Sequence, residues 1–120
     1  MTPQPKAPVI GLVGPCKSGK TVLKRGLTEY GYQVKHIAQE HSYVKDMWLK
    51  IAQPDILIFL EVSYEETLNR SSLNWSRNEY TQQIGRLSHA RQHADLVINT
   101  SDLTPSEVLE SVLQFLAGLY

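Results

Sequence analysis

The sequence predicts an α/β fold with a four-stranded parallel sheet, in the strand order 2-1-3-4, and with helices on both faces. Short apolar segments alternate with segments of helical spacing, and this alternation is typical of a parallel sheet. The third of these segments, residues 56–60, is apolar throughout, as expected for a central strand that is buried on both faces. The second, residues 33–38, carries Gln, Lys and His, which favours an edge position. Because crossovers are right-handed, these positions favour the order 2-1-3-4.

Local patterns define the first half of the domain. The first strand is predicted over residues 9–13, and the helix that follows it ends at Gly31. After the second strand, a short helix is predicted over residues 42–52 and ends before Pro54. That helix rests on the spacing of four side chains, Val44, Met47, Trp48 and Ile51.

Capping patterns define the second half. Ser63 begins a capping box that opens a helix to about residue 71, and Ser76 begins another that opens a helix to about residue 93. Residues 96–98 form the last predicted strand. Thr104 followed by Pro105 then begins the final helix.

Length and charge limit the possible functions. We expect a flexible tail over residues 1–8 and a single domain over residues 9–120. Twelve basic and twelve acidic side chains balance, so neither nucleic acid nor an anionic membrane surface is an expected partner. No apolar run approaches the roughly 18 residues that a membrane span requires, and we expect no signal peptide. The single cysteine excludes an internal disulfide and fits a reducing compartment, so we expect a cytoplasmic protein.

One motif carries most of the functional information. Residues 14–21 read G-x-x-x-x-G-K-T between the first strand and the first helix, which is the P-loop pattern. Its backbone N–H groups and the helix N-terminus cradle phosphate oxygens. Lys20 is placed to reach the β- and γ-phosphates, and the Thr21 hydroxyl to ligate Mg²⁺. An ordinary glycine turn would need neither residue. The predicted nucleotide-binding residues of the loop are Gly14, Pro15, Cys16, Lys17, Ser18, Gly19, Lys20 and Thr21.

Three stretches together resemble the small-kinase branch of the P-loop NTPases, the nucleoside and nucleoside monophosphate kinases. The first is the P-loop itself. The second, residues 54–62 with the acidic helix up to Arg70, is similar to the strand and helix that precede the lid of thymidylate kinase. The third, residues 94–100, is similar to the last strand and adenine-side loop of such kinases. The resemblance implies the three-layer P-loop NTPase fold.

The resemblance also implies a reaction, the transfer of the γ-phosphoryl group of ATP to a small acceptor, helped by Mg²⁺ and by lid arginines. The acceptor is not identified by the sequence. Arg70, Arg77 and Arg86 match the arginines, with Arg77 as the lid finger; Arg70 and Thr100 would also contact the nucleotide. The chain lacks the further strand whose aspartate lies near Mg²⁺ in these kinases. A non-catalytic nucleotide-binding sensor or partner-binding module therefore stays open as the alternative. The sequence also leaves open whether a homodimer forms or a partner protein completes the site.

Glu40, which follows the second strand, is the candidate for the missing acid. It would hold Mg²⁺-bound water or act as a base, and the plain alternative is a solvated loop acid. Catalytic roles are thus expected for Lys20, Arg77 and Glu40, and metal roles for Thr21 and Glu40.

Four other residues have a functional and a plain interpretation. Cys16 lies near a helix N-terminus and could act as a redox switch, although a loop position of free choice explains it better. His89 and His93 could share a metal, but no third ligand is evident. Trp75, in a polar connection, is a candidate for stacking on a base.

Overall fold

The computed structural model describes residues 8–70 and 74–119. All but one residue of the predicted tail, and residues 71–73 of the predicted lid connection, lie outside this part of the chain. Within the described ranges, no helix combines the length and the apolar character needed to cross a membrane.

Four parallel strands form one sheet in the order β2-β1-β3-β4, which confirms the predicted topology. They are β1 (Val9–Val13), β2 (Gln33–His36), β3 (Ile56–Glu61) and β4 (Leu96–Asn99). In the register of the sheet, Leu12 of β1 pairs with His36 on one side and with Ile58 on the other. The polar strand β2 is thus an edge strand, and β3 lies in the interior of the sheet.

Four α-helices accompany the strands. They are α1 (Lys20–Glu29), α2 (Tyr64–Arg70), α3 (Arg77–His93) and α4 (Pro105–Leu119). The predicted capping box at Ser76 is present, since its side chain accepts the N–H of Glu79 and the Glu79 carboxylate accepts the N–H of Ser76. A capping box of the same kind precedes α4. The Thr104 hydroxyl accepts the N–H of Glu107, and the Glu107 carboxylate accepts the N–H of Thr104.

The helix predicted over residues 42–52 is wrong in most of its length. A 3₁₀ turn covers Gln39–His41, and only Trp48–Ala52 is helical, as a π-helical turn. The reason is the buried side chain of Gln39. Its Oε1 accepts the Trp48 N–H at 2.8 Å, and its Nε2 donates to the carbonyl of Val44 at 2.8 Å. These bonds take backbone groups that a regular helix would use, and β2 also ends two residues before its predicted end.

Two apolar cores lie on opposite faces of the sheet. Because side chains alternate along a strand, Ile56, Ile58 and Leu60 pack with α1 and α4, while Leu57 and Phe59 pack with α3. Trp48 joins the second core and is 5% exposed. The sheet is therefore covered on both sides.

Candidate functional site

The loop after β1 depends on two glycines. A Cβ on Gly14 would lie 2.5 Å from the carbonyl oxygen of Leu60, so the loop can pass this close to β3 only with glycine. Gly19 has φ +104° and directly precedes α1, a conformation that other residues rarely adopt. No side chain of the described residues caps α1. The first N–H groups of this helix are therefore left for another partner.

Lys20 points back into this loop. Its side chain is 5% exposed, and Nζ donates to the carbonyl of Gly14 and to the carboxylate of Glu40. Glu40 lies on the 3₁₀ turn after β2, and its side chain is also 5% exposed. The segments that follow the neighbouring strands β1 and β2 thus contribute a buried ion pair to one site.

Two polar atoms in this region lack partners. Among the residues that the structure describes, Ser18 Oγ and Glu40 Oε1 are the buried side-chain oxygen or nitrogen atoms without a hydrogen bond. An unpartnered buried polar group is unfavourable, because the group has lost water without gaining a protein partner. Both atoms belong to residues that line the same cavity, so a ligand there could supply the missing bonds.

A cavity of about 770 Å³ opens at this edge of the sheet. Its lining includes six predicted loop residues, Cys16, Lys17, Ser18, Gly19, Lys20 and Thr21, together with Glu40, Arg70 and Thr100. On another side, Leu103, Pro105 and Val108 are apolar. The cavity falls within the size range of small-molecule sites, and it combines a cationic, hydrogen-bonding part with an apolar part.

Arg70 and Thr100 hold the loop in place. Arg70 Nη1 donates to the carbonyl of Lys17 at 2.9 Å and to Thr100 Oγ1 at 3.2 Å. Thr100 Oγ1 lies 2.9 Å from the carbonyl of Ser18. Both residues therefore contact the loop backbone directly, which fits their predicted place beside a bound nucleotide.

Arg77 lies away from this cavity. It is the first residue of α3, its side chain is 63% exposed, and it pairs with Glu65 and lies 4.8 Å above the Tyr64 ring centroid. The Glu65 carboxylate accepts hydrogen bonds from its own backbone N–H and from the Arg77 guanidinium, and these bonds lower its pKa. Arg86 donates to the backbone carbonyl of Glu40 at 3.2 Å. The role of Arg77 as a lid finger stays a prediction.

His36, at the end of β2, also lines the cavity. Burial lowers the pKa of its imidazole, and the positive charge of Lys20 lowers it further, while Glu40 acts in the opposite direction. These surroundings therefore disfavour the charged form of the His36 imidazole.

Two glutamines were missed by the sequence reasoning. Gln83 Oε1 accepts the N–H of Cys16 at 3.0 Å, and its Nε2 donates to Cys16 Sγ at 3.2 Å. Gln83 lies one turn before buried Leu87 on α3, so a polar residue within an apolar stripe was the available signal. Gln39 offered no comparable signal, because it does not belong to any pattern of helically spaced apolar residues.

Other expectations are corrected or narrowed. Trp75 is 7% exposed, and its Nε1 donates to Thr67 Oγ1 at 3.0 Å, so it is a core residue and cannot stack on a base as predicted. His89 Nδ1 accepts a hydrogen bond from Trp48 Nε1 at 3.1 Å, which occupies one atom of the suggested histidine pair.

A search of known protein families gives no matching family, and a search of curated proteins gives no relative. The chemistry of the cavity is then the main guide to function. Lys20 and Arg70 supply positive charge, the start of α1 supplies N–H groups, and Thr21 supplies a hydroxyl. This set suits a polyanion that carries a hard metal ion.

Proposed function

We propose that this protein has the three-layer P-loop NTPase fold and binds ATP in the cavity, with the phosphates on the loop of residues 14–21. The observation that carries this proposal is the inward position of Lys20, held against the carbonyl of Gly14 beside the unpartnered Ser18 Oγ. Burial of an ammonium group is unfavourable, so a turn with a purely structural role would not be expected to contain one there. The apolar residues Leu103, Pro105 and Val108 would lie against the base.

The residues present also fit Mg²⁺. Thr21 is exposed and lines the cavity, and Glu40 has one carboxylate oxygen on Lys20 and one without a partner among the described residues. Hydroxyl and carboxylate oxygens are the ligands that this hard cation prefers. Thr21 would bind the ion directly and Glu40 would hold its water, and the ion would neutralise phosphate charge.

We further propose phosphoryl transfer to a small acceptor, with Arg77 moving onto the phosphates. Its exposed pair with Glu65 opposes this movement only weakly, because solvent screens ion pairs at the surface. The second candidate is a nucleotide-binding module without transfer. The surface position of Arg77 favours it, since Arg70 is the arginine that lines the cavity within residues 8–70 and 74–119.

Calorimetry with Mg·ATP tests binding. We expect Thr21→Val to weaken binding of Mg·ATP at least about tenfold, because one oxygen ligand is lost, and to change binding of metal-free ATP little. Thr81→Val removes a hydroxyl from the exposed face of α3 and serves as the control. Equal affinities for Mg·ATP in parent and Thr21→Val would contradict the metal assignment, and a parent that binds no nucleotide would contradict the function.

Product analysis over a set of small acceptors separates the two candidates. If transfer occurs, Arg77→Ala should lower turnover by about 10³–10⁵-fold, as for other arginine fingers, while ATP affinity changes only several-fold. Arg25→Ala, on the exposed side of α1, should leave both quantities unchanged. Full turnover in Arg77→Ala would refute the lid assignment. ATP binding without any phosphorylated acceptor would favour the binding module.

A further inference from the structure

Three metal-ligating side chains lie together beside the loop. Cys16, Glu40 and His41 each offer one ligand atom, and these atoms all lie within 4.8 Å of one another. Cys16 Sγ is 3.8 Å from His41 Nε2, and Glu40 Oε2 is 4.0 Å from the same nitrogen. No other group of this kind occurs within the described ranges.

The separations of 3.8 and 4.0 Å from His41 Nε2 are somewhat longer than those in a tetrahedral zinc site. Zn–S distances near 2.3 Å and Zn–N distances near 2.0–2.1 Å place neighbouring ligand atoms about 3.3–3.6 Å apart. Small side-chain rotations would therefore bring the three atoms into one coordination sphere. A set of sulfur, nitrogen and oxygen donors favours zinc over the hard cations Mg²⁺ and Ca²⁺, which prefer oxygen alone.

The surroundings also suit a bound ion. Glu40 Oε2, which lies 4.0 Å from His41 Nε2, also accepts from Lys20, whereas Oε1 is buried and has no partner among the described residues, so the carboxylate has an oxygen left for a further bond. Gln83 fixes Cys16 through two hydrogen bonds, as an outer partner of a metal ligand does. The His41 side chain is 61% exposed, which gives the ion a route from solvent.

We propose that Cys16, Glu40 and His41 form a zinc site with a fourth position open to water. On binding, the Cys16 thiol releases its proton to solvent and its sulfur binds as the thiolate, while the neutral His41 imidazole binds through Nε2. No electron transfer is involved. The site shares Cys16 and Glu40 with the proposed nucleotide cavity, so the two proposals are kept separable by measuring metal binding without nucleotide.

The test uses the full chain after chelator treatment, with Co²⁺ as a probe and no nucleotide. We expect a thiolate-to-cobalt charge-transfer band in the near ultraviolet, which Zn²⁺ removes on addition. Cys16→Ser should lose the band, His41→Gln should weaken Zn²⁺ binding at least about tenfold, and Gln83→Ala about 10–100-fold. His93→Gln, which removes an exposed imidazole from α3, is the matched control and should bind as the parent does.

His41→Gln is the most informative variant, because His41 is exposed and its loss leaves the Lys20–Glu40 pair intact. Circular dichroism confirms that each variant is folded. An absent band in the folded parent would overturn the proposal, as would equal Zn²⁺ affinity in parent and His41→Gln. Loss of binding in His93→Gln alone would assign the metal to the α3 histidines and would also overturn it.

Discussion

Two loops leave adjacent strands at the same edge of the sheet and are built on different principles. The loop of residues 14–21, after β1, depends on Gly14 and Gly19, which permit a close approach and a left-handed turn. The segment of residues 37–53, after β2, depends on Gln39, whose side chain bonds backbone groups of Val44, Trp48 and Arg86. The first is a backbone structure, and the second is held by a buried side chain.

The difference explains which loop can be predicted. Glycine positions act locally, so the pattern of residues 14–21 predicts its own conformation. The bonds of Gln39 reach 5, 9 and 47 residues along the chain, and the spacing of neighbouring residues cannot predict the last of these bonds. The ion pair between Lys20 and Glu40 joins the two loops, and Cys16 Sγ also lies 3.8 Å from His41 Nε2. Substitutions can therefore test whether the loops act as a unit.

The largest effect is expected for Lys20→Met. Removal of one partner leaves the Glu40 carboxylate buried and unpaired, which should lower the free energy of unfolding by about 3–5 kcal/mol. ATP binding should be lost as well, because the charge that faces the phosphates is gone. Urea denaturation and calorimetry measure the two results.

The double variant Lys20→Met, Glu40→Gln sharpens this test. It removes both charges, so most of the lost stability should return while ATP binding stays absent. Lys50→Met removes an exposed lysine and should change stability little. If Lys20→Met were as stable as the parent, the two loops would not be coupled through this pair.

Gln39→Ala should have the next largest effect. It leaves the Trp48 N–H and two carbonyls without their partner, so we expect a loss of about 2–3 kcal/mol in unfolding free energy. Hydrogen exchange should show lost amide protection within residues 39–53, while residues 14–21 keep theirs. Gln33→Ala, on the exposed edge strand, should stay within about 0.5 kcal/mol of the parent. Unchanged protection of the Trp48 amide in Gln39→Ala would refute the role of Gln39.

The sheet was the most predictable part of the fold. The apolar segment of residues 56–60 and the polar segment of residues 33–38 were sufficient to order the strands, because burial and edge position follow directly from composition. The capping residues Ser76 and Thr104 likewise specify helix starts through bonds to their own helices. The helix predicted over residues 42–52 was wrong because tertiary hydrogen bonds replace helical ones there.

The candidate site divides in the same way. The loop residues, Arg70, Thr100 and Glu40 were predicted from motif, resemblance and strand-end position, and all of them except Gly14 and Pro15 line one cavity. Gln83 was missed, since its bonds to Cys16 join residues 67 positions apart. Trp75 was misassigned because its polar neighbours in the sequence do not reveal its buried contact with Thr67. Side chains that act across the fold are thus the part that local patterns do not contain.

The smallest effect concerns His36, which lies where the two loops meet. Burial first, then the charges of Lys20 and Lys24, lower the pKa of the folded imidazole below its ordinary value of 6.5, while Glu40 raises it. As pH falls through 6.5, the unfolded chain takes up a proton before the folded chain does, so the contribution of His36 to stability is lost as pH falls through the folded pKa. His36→Gln should reduce this decline, and the change should be small because the imidazole keeps contact with solvent.

An NMR titration sharpens the test: Glu40→Gln should lower the pKa of His36 further, because the one opposing charge is removed. An unchanged pKa of His36 in Glu40→Gln would show that the segment after β2 does not act electrostatically on the end of its own strand.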